Sequence, residues 1–229
     1  MKQRKTFVLL TAACLAAFTF IACSKSDKKD DGPQTPQEQP GKIPGLGEAP
    51  GTPEGTALTY PAGVTLASTK IYGQVCDTAY EVGTGGVVEV CVALANNNAT
   101  DVTFTLPAGL VILADDLSYQ HGLLIQNFNV VLKAKRTTRV GIKLLCLNAE
   151  RRPSSSDKTY KIGPVTSSPL IRQLCENLKN KKVARKEFAD EDQYFMVATS
   201  LQGLVWAYTD GDGYDATMLA RLLAEIPNK

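Results

Sequence analysis

The stretch Val87-Val88-Glu89-Val90-Cys91-Val92-Ala93-Leu94 decides the fold. It is dense in β-branched residues. Val88, Val90, Val92 and Leu94 recur at every second position, the period of a strand with one buried face. Asn96-Asn97-Asn98 closes it with a turn signal. Downstream, residues 102–106 alternate, with Phe104 and Leu106 opposed to Thr103 and Thr105. Pro107-Ala108-Gly109 breaks that run, and residues 110–113 resume it. Residues 127–132 alternate through Phe128, Val130 and Leu132, and residues 139–147 put Val140, Ile142, Leu144 and Cys146 on one face. Short strands at this spacing, with no helical period competing, predict an immunoglobulin-like antiparallel β-sandwich over residues 58–150.

Residues 151–229 change period. Ser168 as N-cap and Pro169 in the first turn start a helix with Leu170, Ile171, Leu174, Cys175 and Leu178 on one face. Asp190 starts a second helix. From 194 to 209 it carries no charge, and two adjacent stripes run along it. Tyr194, Val197, Ala198, Leu201, Leu204, Val205 and Tyr208 form one, and Phe195, Thr199, Gln202 and Trp206 the other. A helix apolar on most sides is expected to be buried and central. Asp215 caps a third, with Leu219, Leu222, Leu223 and Ile226 inward. The class is therefore mainly β with C-terminal α, the helices packing on the sandwich.

Upstream lie an address and a spacer. Lys2, Arg4 and Lys5 precede an apolar run over residues 7–22, too short to span a membrane and followed at once by polar residues. Residues 1–22 thus read as a signal peptide. Phe20-Ile21-Ala22-Cys23 resembles the lipobox of bacterial lipoproteins, which implies that Cys23 becomes the mature N-terminus and carries the lipid that anchors the chain to a membrane. Ser24-Lys25-Ser26-Asp27-Lys28-Lys29-Asp30-Asp31 is similar to the surface-export tag of Bacteroidetes lipoproteins, and reads equally as a solvated spacer. Residues 24–57 hold six Pro and six Gly, with Ile43 and Leu46 as the only large aliphatics. Together with Cys23 they are expected to form a disordered tether.

The cysteines carry the most informative chemistry. An exported chain meets an oxidising compartment, so pairing is compatible with its address. If the chain folds back about Gly83-Thr84, Cys76 falls opposite Cys91, Gln74 opposite Ala93 and Thr78 opposite Glu89. That register permits a cross-strand disulfide; two reduced cysteines on a sheet surface are the alternative. Cys146 and Cys175 lie on faces that read as buried, as two small core residues or as one bridge between sheet and helix.

Leu145-Cys146-Leu147-Asn148 and Leu201-Gln202-Gly203-Leu204-Val205-Trp206 together resemble the paired signatures of bacterial surface thioester domains. Tyr160-Lys161-Ile162-Gly163 and Trp206-Ala207-Tyr208-Thr209-Asp210-Gly211 add to the likeness, which covers about 30 residues of the chain. The resemblance implies a Cys on a strand joined to a Gln on a helix. Cys146 would be the acyl acceptor, Gln202 the donor and Trp206 a lid against water. No residue is evident as an activating base, and the bland reading makes Cys146 core and Gln202 a buried polar contact.

Charge and composition exclude other classes. Of 229 residues 44% are hydrophobic and 21% charged, and the formal charge is +2. Without the three basic residues of the leader, 22 basic side chains face 23 acidic ones, which gives no electrostatic footprint for nucleic acid. One histidine, His121, excludes a His-rich metal site and reads as a loop residue. No cofactor motif and no catalytic constellation is present, so an enzyme is not expected. The reading is an outer-membrane lipoprotein at the cell surface, acting in adhesion or ligand binding on a protein or glycan partner through an internal Cys146–Gln202 thioester. The alternative is a non-covalent glycan- or protein-binding module or a structural lipoprotein.

Overall fold

The computed structural model describes residues 38–74, 76 and 80–229. The signal segment, Cys23, the first part of the tether and Thr78 lie outside the described residues. The strands are β1 (Gly55–Ala57), β2 (Val64–Leu66), β3 (Ile71–Tyr72), β4 (Glu81–Gly83), β5 (Val88–Asn96), β6 (Val102–Leu106), β7 (Leu110–Ala114), β8 (Gly122–Leu123), β9 (Phe128–Leu132), β10 (Arg136–Cys146) and β11 (Thr159–Thr166). Three helices follow, α1 (Pro169–Leu178), α2 (Glu191–Thr209) and α3 (Ala216–Glu225).

The expected immunoglobulin-like sandwich is not formed. Six strands pair antiparallel in the cycle β5-β3-β11-β7-β8-β10 and back to β5, so one sheet closes into a barrel. The closing seam is the longest pairing, nine residue pairs from Arg136↔Asn96 to Leu144↔Val88. β2, β4 and β1 extend the sheet from β5, β10 and β11, and β6 with β9 forms a separate two-stranded sheet. A sandwich and a small barrel demand the same alternation, because each strand buries one face in either. In register, Val88, Val90, Val92 and Leu94 lie beside Leu144, Ile142, Val140 and Thr138, and the Val-rich face of β5 lines the barrel interior with Ile112, Leu144 and Tyr160.

The expected hairpin about Gly83-Thr84 is also replaced. β4 runs parallel to β10, pairing Val82 with Ile142. Gly83, at φ +98°, permits this because a Cβ there would lie 1.9 Å from the Lys143 carbonyl oxygen. Opposite Cys91 stands Tyr72, not Cys76. A disulfide nonetheless joins Cys76 to Cys91 across a Cα–Cα distance of 5.1 Å, from the segment that follows β3. Its 15-residue loop corresponds to about 3 kcal/mol of stabilisation in the chain-entropy account.

Residues 38–57 depart from the expected tether. Ile43 and Leu46 are buried in the main core, and β1 pairs with β11. The glycines of this stretch are turn formers: Gly41, Gly45 and Gly47 all have positive φ, and the Gly41 N–H donates to the Tyr208 carbonyl at 2.8 Å. Glu38 accepts from the Ser168 hydroxyl at 2.7 Å and from the Leu170 N–H at 3.1 Å, placing a carboxylate at the N-terminus of α1.

The three helices start at the residues the caps indicate. Ser168 accepts from the Ile171 N–H, Asp190 from Asp192 and Asp215 from Met218. Only one stripe of α2 is buried, however: Tyr194, Val197, Leu201, Leu204 and Val205 face the barrel, while Phe195 is 70% exposed. The expectation of a central helix gives way to one laid on the outside of β10.

Candidate functional site

The site forms where β10 outlasts its neighbour. The even-numbered residues of β10 turn their peptide groups toward β5. The pairing ends at Leu144↔Val88, so the N–H and C=O of Cys146 meet no further strand residue. On its other edge β10 pairs with β8, Cys146 lying opposite Gly122, and the Leu147 N–H donates to the His121 carbonyl. The two unclaimed groups of Cys146 are satisfied by α2. The Cys146 N–H donates to Gln202 Oε1 at 2.8 Å, and Gln202 Nε2 donates to the Cys146 carbonyl at 2.9 Å. The carboxamide thus stands in for the missing strand residue, and these buried groups are paired as burial requires. About two helical turns earlier, Tyr194 braces the loop before β5 in the same two-way manner, accepting from the Gly85 N–H at 3.2 Å and donating to the Gly85 carbonyl at 3.1 Å.

This geometry has chemical content. A carboxamide bonded at both ends to one strand residue lies near the plane of the sheet. Cys146 shares the inner face of β10 with Leu144 and Ile142, so its side chain turns out of that plane into the barrel. A carbonyl carbon is attacked across its face. The oxygen that would take the negative charge already faces the Cys146 N–H, an arrangement that stabilises an oxyanion. The thiol itself is fully buried, and burial pushes it up to about 12. It therefore stays protonated, unlike the exposed, electropositive thiolates of ordinary reactive cysteines.

The polar residue after the cysteine is structural. Asn148 is buried, accepts from the His121 N–H at 2.9 Å through Oδ1, and donates to the Gly47 carbonyl through Nδ2. His121 is buried rather than a surface loop residue. Its Nδ1 accepts from the Ala114 N–H at 3.0 Å, which puts the ring proton on Nε2, 3.4 Å from Arg151 Nη1. A second ring proton would point at the Ala114 N–H. Burial and the Arg151 charge push the histidine down to about 4. Arg151 in turn pairs with Glu48 at 3.2 Å. His121 is thereby committed to structure and offers no free base to Cys146.

Trp206, expected as a lid, is half-buried one turn beyond Gln202, with its indole Nε1 buried and unpartnered among the described residues. Cys146 and Cys175 are both free, so no bridge joins sheet to helix through them. Cys175 is buried in α1 and is likewise pushed up to about 12 by burial. Among the described residues no group of three His, Cys, Asp or Glu side chains is placed to hold a metal ion. No helix among them is long and apolar enough to cross a membrane. The sequence reading missed Tyr160, whose hydroxyl is buried inside the barrel with no partner among the described residues, and the two-way brace from Tyr194. For Tyr160 the only signal was its place within a quoted run.

The chain matches no protein-family model, no curated protein and no solved structure.

Proposed function

We propose that this is a lipid-anchored cell-envelope protein that attaches covalently to a surface partner through an internal thioester between Cys146 and Gln202. The observation that carries the reading is the docking of the Gln202 carboxamide on Cys146 at 2.8 and 2.9 Å, from an element more than fifty residues away in sequence. Sulfur adds to the side-chain carbonyl carbon, the carbon–nitrogen bond breaks, and ammonia leaves with the thiol proton. A nucleophile on the partner later takes the acyl group and returns the thiol. Each molecule reacts once, so this is attachment and not turnover.

The test is the intact mass of the chain from residue 24 onward, which keeps every described residue. A mass short by one ammonia, beyond the two hydrogens lost to the Cys76–Cys91 disulfide, is expected. Methylamine should add to it, and Cys146→Ala and Gln202→Ala should each restore the full mass and abolish the adduct. A wild-type mass short only by hydrogen pairs overturns the thioester.

A second reading, non-covalent binding of a glycan or peptide, is favoured by one feature, a polar cavity of about 720 Å3 beside α1, lined by Gln126, Asn127, Arg172 and Gln173. It becomes the working reading if the ammonia is retained. The anchor is tested separately. Expressed from Met1 in a bacterium, the protein should sediment with membranes and Cys23→Ala should release it; a soluble wild type overturns the anchor.

A further inference from the structure

Among the described residues Tyr160 is the largest fully buried side chain, 1% exposed, yet its hydroxyl has no hydrogen-bond partner there. A buried donor left without a partner loses its bond to water and gains none in return, and phenylalanine would fill the same space without that cost. Its position is informative. In the closed cycle of six strands, β8 and β7 separate β10 from β11 on one side, and β5 and β3 on the other. The two strands therefore lie diametrically opposite. Cys146 is level with Gly122, Gly122 with Ile112 and Ile112 with Ile162, two residues from Tyr160 on the same inner face. The ring is held from behind, since a Cβ on Gly73 would come within 2.7 Å of Tyr160 Cε2. The phenol thus reaches across the barrel from the wall facing the cysteine.

We infer that the Tyr160 hydroxyl relays the thiol proton while the Cys146–Gln202 thioester forms, acting through one water. The inference rests on the thioester reading and supplies what that reading lacks, a group to move the proton. His121 is committed elsewhere, and among the described residues no Asp or Glu is buried in the barrel interior. In the step, the sulfur–carbon bond forms as the carbon–nitrogen bond of Gln202 breaks. The thiol proton passes by way of the water to the phenol oxygen, the phenol proton passes to the departing nitrogen, and ammonia leaves. Tyr160 ends as it began, and neither oxidant nor reductant is consumed. Burial, and then the neighbouring Cys146, push the phenol up to about 12, level with the thiol at about 12. A proton passes between groups so matched with little free-energy change.

Closure can be timed. Ammonia opens a thioester back to glutamine, and its removal lets the ring reclose, a step read by intact mass. Tyr160→Phe is expected to reclose roughly 10²-fold more slowly than wild type, while its melting temperature is unchanged or raised. Fluorotyrosine at 160 keeps the shape and lowers the phenol's proton affinity, so it should also change the rate, and it decides the matter if Tyr160→Phe melts lower. Wild-type closure rates in both variants overturn the relay and leave the thioester standing. A wild type that never loses ammonia overturns both.

Discussion

Between pH 7 and pH 4 the protein is expected to lose about 3 kcal/mol of stability through His121 alone. Folded, this histidine titrates at about 4, against an ordinary value of 6.5. Between those two values the unfolded chain binds a proton that the folded chain refuses. Stability therefore rises with pH across that window. The contribution is complete above pH 6.5, is lost as pH falls toward 4, and changes no further below that. The cause is local. The buried ring spends its Nδ1 lone pair on the Ala114 N–H, and Arg151 stands against Nε2. Chemical denaturation at a series of pH values checks this. His121→Gln, whose side-chain oxygen can take the Ala114 N–H, should flatten the slope between pH 4 and 6.5. An equal slope in both proteins would remove His121 as its source.

Leu46→Ala should cost about 3 kcal/mol. Leu46 is fully buried in the core cluster, within a stretch whose composition alone marks it as spacer. A residue in a free tether would change stability by less than about 0.5 kcal/mol. The denaturation midpoint separates the two cases without ambiguity. The neighbouring Gly47 reinforces the point, because a Cβ there would lie 1.8 Å from the Thr209 carbonyl oxygen at the end of α2.

What the sequence reveals and conceals follows from range. The alternation in β5 and the caps of the three helices are local signals, and they specify strands and helices at the right residues. Closure of the barrel is not local. It depends on β10 pairing with a strand some forty residues before it and on Gly83 letting β4 lie parallel to β10, where a hairpin reading would turn it back on β5. Proline and glycine mislead in residues 38–57. The composition that marks disorder elsewhere supplies tight turns here, and two aliphatic residues suffice to seat them. The candidate site divides likewise. Cys146 near a strand end and Gln202 on a helix can be read from motif and period. Their contact depends on β5 starting at Val88 rather than a residue or two earlier, and Val87 is as β-branched as its successor. The partnerless Tyr160 hydroxyl has no sequence signature, since nothing in a strand pattern distinguishes a satisfied phenol from an orphan.

The order in which the ring of strands closes carries its own consequence. β3 and β5 stand early in the chain, but β3 also pairs with β11, Ile71 with Tyr160, and β1 waits for the same strand, Gly55 with Thr166. Until residue 166 has left the ribosome, no circuit of hydrogen bonds can be completed, and the early strands keep open edges. Such high contact order places folding toward the slow, millisecond-to-second end of the range. A nascent chain of this design stays unfolded and threadable for most of its synthesis.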